Sequence, residues 1–166
     1  MKIRGRDITA CILAGMVVYT AAGAREAGDS PPLADAPAQQ QAIAQVMATV
    51  PSGIKVETLL KTESSWDGVP YTAYPQGRPE ITVVRLTIPP HTALPWHSHP
   101  MPNAAYVVSG SIVVEKQSDG SKRQLGAGQV LAEMVDAPHR GVTGDEPVVL
   151  MVFYAGATDM PLSVGH

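Results

Sequence analysis

The strongest constraint in this sequence is how often it is interrupted. Fifteen glycines and fifteen prolines are spread over 166 residues. Both types break helices and mark turns, so the chain favours frequent turns and short strands over long helices. Between the interruptions lie short runs suited to a pleated surface. Residues 54–61 alternate Ile54, Val56, Thr58 and Leu60 with Lys55, Glu57, Leu59 and Lys61, which predicts a strand. Residues 81–88 form a β-branched run closed by Pro89 and Pro90, and strands are predicted again over 106–109, 112–116, 129–135 and 148–154. The stretch Ser118-Asp119-Gly120-Ser121 reads as a hairpin turn, and Gly144 to Pro147 turns the chain before the last strand. Six or seven short strands separated in this way predict an all-β sandwich or barrel.

The first fifty residues read differently. Lys2, Arg4 and Arg6 precede an apolar run over 8–24 that ends in Ala22-Gly23-Ala24, the pattern of a signal peptide with a small-residue cleavage site. Retained, the same run would serve as an N-terminal membrane anchor, and only then would a membrane be a partner. The expected location is periplasmic or secreted, with a membrane-anchored form as the alternative. Residues 25–38 read as a linker. Over 39–50, Ile43, Val46, Met47 and Val50 recur at helical spacing, which predicts one short helix before Pro51-Ser52-Gly53. The barrel is expected over 51–166.

Loss of residues 1–24 would remove Cys11 and shift the formal net charge from −3 to −5. No disulfide framework is then available. A mildly acidic chain with scattered Lys and Arg lacks the basic stripe of a nucleic-acid binder. No Gly-rich phosphate loop, serine elbow or CxxC pair is present in the sequence.

Chemistry concentrates in the histidines. His97 and His99 stand at i and i+2, and in a strand that spacing puts both imidazoles on one face. His139 lies 40 residues on, after a Gly-led strand, and can return beside them in a barrel. Imidazole suits Zn, Cu, Fe and Ni, and three such ligands leave coordination positions open. His91 reads as a loop histidine at the barrel mouth or entrance, and His166 as a disordered chain end. Trp96 should face away from His97 and pack. Tyr106, Met134, Met151 and Tyr154 read as barrel-lining or core residues. Arg140 reads as solvated or as a contact for an anionic substrate.

The segments PHTALPWHSHPMPNAAYVVSG (90–110) and GQVLAEMVDAPHRGVT (128–143) resemble the two cupin motifs. A narrower likeness, to exported bacterial cupins, rests on Leu94-Pro95-Trp96-His97, Glu133-Met134 and Phe153-Tyr154-Ala155-Gly156. The resemblance implies a cupin-type jelly-roll β-barrel with one divalent transition metal ion (Fe, Mn, Zn, Cu or Ni) held by His97, His99 and His139. The departures are specific. Asn103 stands where the family's Glu ligand falls, His91 where a Gly opens the first motif, Met134-Val135-Asp136 where the second carries Pro-x-Gly, and Thr143 where it carries Asn. A neutral amide is a weak ligand beside a carboxylate.

Three neutral imidazoles would leave a doubly charged ion uncompensated, favouring a small anionic or enolic ligand. Glu133 is the acid that could compensate. Strand parity puts it on the face of Leu131 and Val135: turned inward it is a fourth ligand or catalytic general base, turned outward it is solvated. The resemblance implies an enzyme on a small organic acid, phenol or enol, of dioxygenase, isomerase or lyase type. The alternative is a non-catalytic module that binds a small ligand or metal. A homodimer is expected, because an upstream strand over 54–61 leaves a sheet edge to cover.

Overall fold

The computed structural model describes residues 53–166 continuously, together with 41, 44–46, 48, 49 and 51. The signal or anchor segment (1–24) and the linker (25–38) lie outside the described residues. Of the expected short helix, residues 41 and 44–46 are described, and they are helical and exposed. Among the described residues no helix is long and apolar enough to cross a membrane.

The described residues form nine strands: β1 Pro79–Ile88, β2 His97–Ser98, β3 Asn103–Ser109, β4 Ser111–Lys116, β5 Lys122–Gly126, β6 Val130–Ala132, β7 His139–Thr143, β8 Val148–Ala157 and β9 Val164–Gly165. They form two antiparallel sheets, ordered β1-β8-β3-β6 and β5-β4-β7-β2-β9. This is the all-β architecture that the turn spacing predicted, arranged as the jelly roll that the cupin resemblance implies. Alternation decides what goes inside. Along β8, Val148, Leu150, Val152 and Tyr154 are buried while Met151 and Phe153 are exposed. From the other sheet Ile112, Val114 and Leu125 meet them, and Val107 and Leu131 fill the space between. Burial of each such side chain contributes about 1.5–3 kcal/mol before entropy is counted.

The outer face of the first sheet is apolar and open. Ile81 and Val83 of β1 lie across from Ala155 and Phe153 of β8. Tyr106 and Met151 pair on the same outer face, so both leave the core expected for them. Residues 54–61 form no strand, against expectation. Alternation supplies two faces but not a partner edge, and a strand exists only with one; Ile54, Leu59 and Leu60 stay largely exposed. The edge strand that a homodimer was expected to cover is therefore not formed over 54–61. The run predicted over 129–135 ends as a strand at Ala132, and 133–138 is irregular.

Two turns fix the register. Asp119 Oδ1 accepts from the Ser121 N–H (2.9 Å) and hydroxyl (2.6 Å), closing the β4–β5 hairpin around Gly120. Gly110, between β3 and β4, has φ +78°, and an added Cβ would run into the Pro147 carbonyl and crowd Val148. Gly110→Ala should therefore destabilise the fold by about 1–3 kcal/mol, through a left-handed backbone and the clash. Thermal unfolding measures it, and an unchanged midpoint would contradict this account of the turn.

Candidate metal centre

The histidines meet where the second sheet narrows. His97 of β2 lies directly opposite His139 of β7 in the antiparallel register, which brings cross-strand side chains together. His99, one residue beyond β2, bridges Val135, and its carbonyl accepts the Asp136 N–H at 2.9 Å. The i, i+2 spacing keeps His99 on the face of His97. The three rings form a triangle with centroids 5.0, 4.8 and 5.1 Å apart. Their ligand atoms lie within 4.8 Å of one another. His99 and His139 are buried, and His97 is partly open.

Each ring is turned by a backbone carbonyl. His97 Nδ1 lies 2.9 Å from the Pro95 oxygen, His99 Nδ1 2.7 Å from Leu162, and His139 Nδ1 2.8 Å from Ala137. A carbonyl only accepts, so each Nδ1 carries the proton and the neutral ring presents its Nε2 lone pair to the centre. The Leu162 carbonyl comes from the tail, which also adds β9 to β2. His166, expected to be disordered, is tied there: its N–H donates to the Trp96 carbonyl (3.0 Å), and its Nε2 is 2.8 Å from Ser98 Oγ.

Glu133 completes the cluster. It has left β6, yet its side chain follows Leu131 inward and lines the same interior cavity as the three histidines. Its Oε2 is 2.9 Å from His99 Nε2 and 3.2 Å from His139 Nε2. Asn103 Nδ2 donates to the same oxygen at 3.1 Å, while Asn103 Oδ1 is buried without a partner. The amide that stands at the family's carboxylate position therefore supports a carboxylate from the neighbouring strand. Burial alone would raise the Glu133 pKa, but hydrogen bonds from His139 and His99 outweigh it and hold the group well below the usual carboxylate range. Burial lowers His97. For His139 burial works against the charged form, yet the Glu133 hydrogen bond and charge win and raise it. Burial, with the Glu133 charge, pushes the Tyr71 and Tyr154 phenols up to about 12.

These contacts test whether a metal fits. Neutral rings would aim two lone pairs at a carboxylate oxygen about 3 Å away, and the one Asn103 N–H on that oxygen leaves facing acceptors that need a cation among them. A proton on Nε2 meets that need in part, and a divalent ion meets it for all four groups. Three imidazoles and one carboxylate are also a donor set suited to Zn, Fe, Mn, Cu or Ni. The residues fit a divalent metal.

The interior cavity beside them is small, about 60 Å³, with walls including Leu86, Leu94, Val107, Ile112 and Leu150. A larger groove of about 600 Å³ lies outside the barrel among Leu60, Tyr74, Phe153 and Ala155 and contains none of the histidines. Its size does not make it the chemical site. Arg140 is not free for a substrate: it donates to Glu115 at 2.9 and 2.8 Å and stacks 4.4 Å over Trp96. His91 is exposed, 3.7 Å from Asp145 and distant in role from the cluster. The tethers from Pro95, Leu162 and Ala137 and the Tyr71 contact described below had no sequence signal, because backbone carbonyls carry no residue signature.

A two-sheet β-barrel with an inward three-histidine cluster defines the class. Residues 84–154 match the family model for the cupin domain, and this segment of the chain is a cupin domain. No curated protein matches the chain. Among solved structures, the DMSP lyase DddQ from Ruegeria pomeroyi DSS-3 is 21% identical with a TM-score of 0.46, the match covering 58% of this chain and 46% of that one. The polyketide cyclase RemF from Streptomyces resistomycificus is 21% identical, TM-score 0.45, covering 51% of this chain and 59% of that one. A cupin-like protein from Thermotoga maritima MSB8 is 16% identical, TM-score 0.45, covering 52% and 64%. The matched part is less than two thirds of each of these chains, and the likeness concerns the fold.

The Glu133–His139 contact has a titration consequence. A histidine with a raised pKa stabilises the folded state fully below its ordinary value of 6.5, and that contribution is lost as pH rises through the folded value. In metal-free protein, Glu133→Gln should lower the His139 pKa, since burial is then unopposed by the carboxylate. NMR titration of the imidazole reads this, and an unmoved or higher pKa would contradict the contact.

Proposed function

We propose that this chain is a metal-dependent cupin enzyme acting on a small organic acid, phenol or enol, with His97, His99, His139 and Glu133 holding one divalent ion. The observation that carries the reading is the Glu133 oxygen, 2.9 and 3.2 Å from two Nε2 atoms that are tethered to face it. When bound, the ion would supply Lewis-acid or redox chemistry at positions the protein leaves open.

The protein's own part follows from its walls and charges. Glu133 offsets part of a doubly charged ion, and the remaining positive charge in an apolar interior attracts an anionic carboxylate or enolate. The roughly 60 Å³ cavity admits only the reacting end of such a molecule, so its body would stay at the partly open His97 side. Leucine and valine walls exclude water from that end. Among the described residues Glu133 is the buried carboxylate at the rings, so with one oxygen on the ion a proton taken from substrate would pass to its other oxygen. Lyase and isomerase chemistry use such a base, and dioxygenase chemistry does not need one. The apolar run over 8–24 supports a periplasmic or secreted location, with a membrane-anchored form as the alternative.

The small cavity is also the observation that favours a second reading, capture of a metal or small ligand without turnover. Metal analysis of purified protein should give about one divalent ion per chain, falling at least tenfold in His97→Ala. A background metal content in the unaltered protein would sink the enzyme reading. Turnover of phenolic and enolic acids, followed by oxygen uptake and by product formation, separates dioxygenase from proton-transfer chemistry. Metal binding with no turnover across that panel favours the capture reading.

A further inference from the structure

Glu133 sits just beyond the end of β6, where the ladder no longer fixes it. Its N–H still donates to the Asn103 carbonyl at 3.1 Å. Its own carbonyl accepts a hydrogen bond from the Tyr71 hydroxyl at 2.6 Å, a contact spanning 62 residues of sequence. The preceding carbonyl, of Ala132, accepts the Trp66 N–H at 2.9 Å. Two successive peptides at the acid are thus held from one loop.

That loop is stiff enough to act as a brace. Ser64 bridges Pro70, the Tyr71 N–H donates to Glu63 (2.8 Å), and the Ser65 N–H donates to Val69 (3.0 Å). Asp67 accepts from Ser65 Oγ at 2.5 Å and from Lys116 Nζ at 2.7 Å. Lys116 ends β4 directly opposite His139 in the β4–β7 register. Trp66 and Tyr71 therefore grip the acid at the edge of the first sheet. Asp67, between them in sequence, grips the strand beside a histidine of the second.

We propose that Tyr71 is a positioning residue: its phenol fixes the Glu133 peptide and thereby the place of the carboxylate among the three imidazoles. The inference rests on the reading of Glu133 as a donor to the metal. A loop that merely capped the barrel would affect stability and leave the metal's surroundings alone.

Co²⁺ is the probe, because its visible absorption reports the donors around it. Full-length protein, Tyr71→Phe, Ser65→Ala and Glu133→Gln are compared by Co²⁺ spectrum, Co²⁺ dissociation constant and thermal midpoint. Glu133→Gln should change the spectrum and weaken binding. Tyr71→Phe should shift the spectrum in the same direction and weaken binding by about 10–100-fold, the usual cost of losing a group that orients a ligand. Ser65→Ala should lower the thermal midpoint with the spectrum retained. Tyr71→4-aminophenylalanine keeps a donor near the same place and should restore the spectrum. If Tyr71→Phe does not fold, Tyr71→4-methylphenylalanine supplies the donor-less side chain at the original length. An unaltered spectrum and affinity in the donor-less variant, with both changed in Glu133→Gln, would overturn the brace alone. An unaltered Glu133→Gln would overturn the donor role of Glu133, and the brace with it.

Discussion

A buried carboxylate oxygen about 3 Å from two imidazole nitrogens is the interaction on which the site depends. Each nitrogen is committed to face inward, because the other nitrogen of its ring is bonded to a main-chain carbonyl. Such a cluster is unfavourable until positive charge enters it. The metal-free protein can supply a proton through His139, whose pKa is raised. The metal-bound protein would supply an ion in the same place. A metal and a proton would thus compete for one electrostatic vacancy that the backbone creates.

The fold is arranged around making that cluster possible. The β2–β7 register sets two histidines opposite one another, the tail carries the carbonyl that turns the third, and the acid comes from the other sheet. A site spanning both sheets requires that their separation be held. The 64–71 loop is tied to both, through the Asp67–Lys116 pair at β4 and the Tyr71 contact with Glu133 just past β6.

Much of this was legible in the sequence, for identifiable reasons. Gly/Pro spacing and alternation located β1, β3, β4 and β8, since those strands are long enough to show a period. HxH implied a shared face and the Gly-led segment led to His139. Short strands left no such trace: β2 and β9 have two residues each, and their pairing comes from register rather than composition. The alternating segment 54–61 misled, because periodicity records a face and not a partner. Parity joined Glu133 to Leu131 and Val135: Leu131 lines the same cavity, whereas Val135 lines another, because the chain past Ala132 is no longer the strand that parity assumes.

The substituted motif positions show what the backbone still demands. His91 and Asp136, where the cupin pattern carries Gly, keep positive φ values of 52° and 53°. Each bears the cost of a left-handed residue, roughly 1–2 kcal/mol. Both positions thus adopt the left-handed turn geometry without the glycine that makes it easy. The carboxylate follows the same logic: the position holds Asn103, and an acid reaches the centre from Glu133 instead. Anomalous X-ray scattering from a crystal soaked in Mn²⁺ or Zn²⁺ tests that substitution most directly. The account predicts one strong peak bonded to the Nε2 atoms of His97, His99 and His139 and to a Glu133 oxygen. A peak coordinated without Glu133, or no peak between the histidines, would contradict it.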